Sequence, residues 1–77
     1  METRYPEYYK MLGLKIAYYR KLRGYTQEQF AELIEKSWSF IAQVESTSMV
    51  RGVSLETLFK MAEVLQVEPA KLLQFDQ

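Results

Sequence analysis

The chain has 77 residues, 48% hydrophobic and 26% charged, with ten basic and ten acidic residues and neither cysteine nor histidine. That length suits one domain with a modest core, expected here as a single unit over residues 1–77, its core at about 8–73 and an N-terminal extension over 1–7. Lacking Cys and His, it has no disulfide, no thiolate, no main zinc ligand and no Ser-His-Asp or Cys-His arrangement.

Ser–Lys or paired-carboxylate chemistry remains formally open, but the acidic residues are scattered over short helical stretches. No enzyme activity, cofactor or metal is expected.

The opening stretch METRYPEYYK has no apolar h-region, so no secretory signal is read there. No apolar run approaches the roughly 18–20 residues of a membrane span, and a cytoplasmic location is the expectation. Tyr5, Tyr8 and Tyr9 suit either a cap on the core or half of a dimer contact. YYKMLGLKIAYYRKLRG then sets Leu12, Ile16 and Tyr19 at i, i+4 and i+7, one helix face, with Gly24 as the stop. Gly13 inside that helix costs roughly 1 kcal/mol against alanine, and close helix packing is the usual reason to keep one. This part of the chain is basic. Residues 1–24 hold Arg4, Lys10, Lys15, Arg20, Lys21 and Arg23 against Glu2 and Glu7, a balance of +4. Residues 25–77 hold four basic and eight acidic residues, a balance of −4.

TQEQFAELI follows, with Thr26 as cap and Gln29 completing a capping box. Phe30, Ala31 and Ile34 form its apolar stripe, and Tyr25 is placed to staple against Phe30. After the short link EKS, Ser37 caps a third helix, WSFIAQVE. STSMVRGV reads as a loop. Ser54 caps a fourth helix, LETLFKMAEVL, whose expected core stripe is Leu55, Leu58, Phe59, Ala62 and Leu65. Pro69 suits the first turn of a fifth helix, PAKLLQF. The pattern is all-α, with no strand alternation and no repeat.

The third helix carries the chemistry. Advancing about 100° per residue from Trp38 gathers Trp38, Ser39, Ala42, Gln43 and Ser46 on one arc of about 140°. Ile41 and Val44 lie on the opposite, apolar side, with Phe40 and Glu45 on the two borders. The outer arc is uncharged, with one amide, small side chains and one large aromatic. Such a surface fits a base edge, where Gln pairs with adenine and apolar atoms meet the thymine methyl. It also fits a protein partner, at whose interface Trp is a favoured anchor.

Two short helices in tandem, the second capped by serine, suit a helix-turn-helix. TQEQFAELIEKSWSFIAQVE resembles the Cro/C1-type, or XRE-family, helix-turn-helix in Thr26, Gln27, Phe30, Ala31, Ser37, Ile41, Val44 and Glu45, without a gap. LGLKIAYYRKLRGYT resembles the family's first helix and SLETLFKMAEVLQVEPAKLL its fourth and fifth, so the likeness covers about residues 12 to 73. It implies a compact five-helix, lambda-repressor-like DNA-binding domain. Two departures stand out. Glu35 replaces the turn glycine, which demands either a positive φ at about 1 kcal/mol or a remodelled turn. ESTSMVRG replaces the more frequent E-x-G-x-x-x-P after the third helix.

The resemblance further implies roles for single residues. Trp38, Ser39, Ala42 and Gln43 match base-edge readers. Gln27, Ser37, Ser46 and Arg51 match phosphate contacts. Arg20 and Glu45 match an ion pair joining the first helix to the end of the third. The expected partner is double-stranded DNA, read by a homodimer whose contact surface runs from the fourth helix through LLQF, with Leu73 and Phe75 as candidates; no small-molecule effector is expected. Plainer readings stand beside these: Gln27 and Gln43 as solvated polar residues, the basic cluster as a solvated helix face, and Trp38 lying back across the turn against Lys36 or the second helix. The competing function is a protein-interaction module, or an antitoxin-like subunit, on the same fold with Trp38 as anchor.

Overall fold

Local signals begin each helix. In the computed structural model, which describes residues 2–75, the helices are α1 (Pro6–Leu22), α2 (Gln27–Leu33), α3 (Trp38–Glu45), α4 (Leu55–Leu65) and α5 (Pro69–Leu72), and no strand occurs among the described residues. Pro6 and Pro69 open α1 and α5, where a missing N–H costs nothing. The hydroxyls of Thr26, Ser37 and Ser54 accept from the N–H groups of Gln29, Phe40 and Thr57. Gln29 returns the bond to the Thr26 N–H at 2.9 Å, closing the capping box. α1 starts at Pro6, so it takes in the last residues of the expected extension.

Three helix ends share one backbone device. After α1, Gly24 takes φ 82°, its N–H donates to the Lys21 carbonyl, and the Tyr25 N–H reaches the Arg20 carbonyl. After α2, Glu35 takes φ 60° with the same pair of bonds, Glu35 to Glu32 and Lys36 to Ala31. After α4, Gln66 takes φ 62°, with bonds to Glu63 and from Val67 to Ala62. This is the Schellman arrangement, which satisfies orphan carbonyls at the helix end. Glu35 therefore keeps the turn at a positive φ without glycine.

The core gathers Leu12 and Ile16 from α1, Phe30, Ala31 and Ile34 from α2, Ile41 and Val44 from α3, four residues of α4 and Leu72 of α5. Tyr25 stacks on Phe30 with ring centres 6.4 Å apart. Gly13 lets α1 and α3 touch: a Cβ there would collide with the Val44 carbonyl oxygen. The expected stripe of α4 needs correction. Leu55 is 65% and Phe59 52% exposed, while Thr57 and Met61 are buried beside Leu58, Ala62 and Leu65. The helix is turned toward the Thr57–Met61 side. Burying Thr57 is cheap because its Oγ1 accepts from the Ser54 hydroxyl at 3.0 Å.

Candidate nucleic-acid interface

A buried ion pair anchors the site. Arg20 Nε donates to Glu45 Oε2 at 2.7 Å and Nη2 to Oε1 at 2.9 Å, with both side chains under one-tenth exposed. Nη1 donates to the Tyr25 carbonyl at 2.6 Å, so the guanidinium ties α1 both to the end of α3 and to the entry of α2. The planar fork suits this bidentate geometry.

Glu45 also fixes Gln27. Gln27 Nε2 donates to Glu45 Oε1 at 2.9 Å. Only the nitrogen of an amide can donate to a carboxylate, so Gln27 Oε1 is turned away from Glu45. There it accepts from Trp38 Nε1 at 3.3 Å. A continuous chain of side chains thus runs from buried Arg20 through Glu45 and Gln27 to Trp38 on the surface. Trp38 leans toward α2 and still keeps 57% of its area exposed. The Lys36 ammonium lies 5.5 Å from the ring centre of Phe40.

The remaining predicted residues fall into two groups. Ser39 and Ala42 are exposed and Gln43 half-buried on the outer side of α3, next to Trp38. Gln43 Nε2 donates to Ser39 Oγ at 3.2 Å. The second group lies at the two ends of the helix. Ser37 uses its oxygen as the cap acceptor and retains its proton. Ser46 turns along the following loop, where its Oγ accepts from the Ser48 N–H at 3.1 Å and lies 3.0 Å from the Ser48 hydroxyl. Arg51 places its guanidinium 4.8 Å from the ring centre of Phe40. Phe40, half-buried against the core, therefore carries two cations, Lys36 and Arg51. Lys36 is absent from the residues singled out above. Its only sequence signal is a cation directly before the cap of α3.

The basic cluster of α1 is partly consumed within the fold. Arg20 is buried, and Arg23 Nε donates to the Leu65 carbonyl at 2.8 Å, closing the end of α4. No group of His, Cys, Asp or Glu among the described residues could hold a metal ion.

The outward arc of α3, braced by α2, has the form of a helix-turn-helix reading head. The chain matches the Helix-turn-helix family over residues 16–72. It is similar in structure to the restriction-modification controller protein C.AhdI from Aeromonas hydrophila, at 32% identity and TM-score 0.74, covering 82% of this chain and 92% of that one. It is also similar to the N-terminal DNA-binding domain of SinR from Bacillus subtilis, at 29% identity and TM-score 0.77, covering 88% and 97%. A structure of SinR, a master regulator for biofilm formation, in complex with DNA matches at 30% identity and TM-score 0.74, covering 82% and 98%. No curated protein sequence matches the chain significantly. The chain belongs to the helix-turn-helix family, in its Cro/C1-type branch, and is a DNA-binding transcription regulator.

Proposed function

We propose that the protein reads operator sequence with α3 in the major groove, acting as a dimer on two half-sites and without enzyme activity. The observation carrying this is the outward, uncharged arc Trp38–Ser39–Ala42–Gln43, with Trp38 held through Gln27, Glu45 and Arg20 and Gln43 bonded to Ser39. Base-reading side chains need such bracing, because loosely held groups lose geometry and affinity. Gln27 keeps one N–H beyond its bond to Glu45, and Ser37 keeps its hydroxyl proton; both are free to donate to phosphate. Lys36 and Arg51, whose cationic groups both lie by the Phe40 ring, supply the phosphate charge.

One recognition helix offers few base contacts, so useful specificity calls for two. The surface best suited to a second copy is apolar and includes Leu55, Phe59 and Leu73, each about half exposed or more. Leu55 and Leu73 line an open groove of about 270 Å³ with Tyr5 and Tyr8. Phe75, named above as a candidate, stacks on Tyr8 at 6.0 Å and packs against the core, so Leu73 is the more available of the two.

The same exposed Trp38, with zero net charge, supports a second reading as a protein-gripping module. Salt separates the two. With Lys36 and Arg51 from each of two copies on phosphates, log K should fall against log salt with a slope of about −4. The lone tryptophan is the optical probe for a titration with duplex DNA. A slope near zero, or no binding at low salt, would favour the protein module.

A further inference from the structure

The outward face of α3 divides into two parallel strips, and each presents a different chemistry. Trp38 and Ala42, four residues apart, form an apolar strip; Ser39 and Gln43 form a polar one beside it.

Indole has one polar atom, the Nε1–H, and it is a donor only. In this protein that proton is committed to Gln27 Oε1, and Gln27 is held in that orientation by Glu45. The exposed remainder of Trp38 is therefore hydrocarbon. Hydrocarbon discriminates among base pairs in the major groove through the one apolar group displayed there, the C5-methyl of thymine. The Ala42 side chain is a methyl group one turn further on.

The polar strip has a complementary bias. With one N–H of Gln43 on Ser39, the amide keeps its carbonyl oxygen and a second N–H. That donor–acceptor pair matches N7 and N6–H of adenine. Guanine is read most often by Arg or Lys, and cytosine by an acidic acceptor. Between residues 38 and 46 there is no Arg or Lys, and the one acid, Glu45, is buried in its ion pair.

Resting on the DNA reading above, we infer that the base steps beneath α3 are A·T pairs, with Trp38 and Ala42 against thymine methyl groups and Gln43 on an adenine edge. The specificity of this chain comes from methyl contact plus one amide, not from charged fingers.

Deoxyuridine tests this directly, because it removes the methyl and leaves every hydrogen-bonding group of thymine. The probe is the duplex enriched by the native protein from a random pool, resynthesised with deoxyuridine at one thymine at a time. Affinity should fall about fourfold for each methyl covered. Trp38→Ala, checked for its helical signal and melting, should lose the difference at one thymine and keep it at others. Equal binding to all the deoxyuridine duplexes, or G·C pairs at the centre of the enriched half-site, would overturn the inference while leaving DNA recognition intact. Failure to enrich any duplex would overturn DNA recognition itself, and this inference with it.

Discussion

Arg20 is the residue on which the reading head hangs. Its guanidinium fixes Glu45, Glu45 orients Gln27, and Gln27 holds the indole of Trp38. Removing the guanidinium leaves a carboxylate buried without its partner. Arg20→Ala should therefore cost about 3–5 kcal/mol in urea unfolding; a loss under about 1 kcal/mol would mean that water readily replaces the arginine. The inward place of Glu45 was legible from its border position on the helical wheel, and the pairing with Arg20 from the family likeness. The bond from Trp38 to Gln27 was not. It depends on a rotamer chosen across two helices, which no spacing within α3 specifies. The same holds for Phe40, whose cation Arg51 comes from a loop eleven residues further on.

At the scale of the element, starts were easier to read than faces. Thr26, Ser37 and Ser54 cap as their side chains dictate, since a short hydroxyl placed before an apolar run has an orphan N–H within reach. The face of α4 was misread because Phe59 is more apolar than Thr57, yet Thr57 is buried. A hydrogen bond from Ser54 offsets its polarity, and Met61 fills the space left for a flexible side chain. Glu35 left two possibilities open in the sequence, and the Schellman bonds at φ 60° decide between them. A left-handed conformation costs a side-chain-bearing residue roughly 1–2 kcal/mol, offset in part by the extra entropy that glycine gives the unfolded chain. Glu35→Gly should thus stabilise the domain by about 0.5–1 kcal/mol in denaturant melts. Destabilisation would show that the glutamate side chain contributes more than the backbone strain removes.

For the whole molecule, charge and size shape the mode of action. The balance of +4 in residues 1–24 suggests a cationic face, but folding buries Arg20 and places Arg23 on the Leu65 carbonyl. Attraction to DNA is left to a few cations, which limits the salt slope to about −4 for two copies. The body measures 30 × 26 × 20 Å, shorter than the roughly 34–36 Å between successive major-groove faces on one side of a duplex. One copy can engage one half-site. In the dimer proposed above, a second copy would reach the next, with the exposed apolar residues Leu55, Phe59 and Leu73 as the proposed contact.

Base reading by the outer arc of α3 can be measured by selecting bound duplexes from a random pool with the native protein and with Gln43→Ala in parallel. The expected result is an inverted repeat with half-site centres about 10 base pairs apart, and a variant that relaxes the motif at one position of each half-site while binding DNA otherwise. An identical motif from both proteins would remove Gln43 from base reading. No enriched motif at all, even at low salt, would contradict base reading by α3 and leave Trp38 as the anchor of a protein contact.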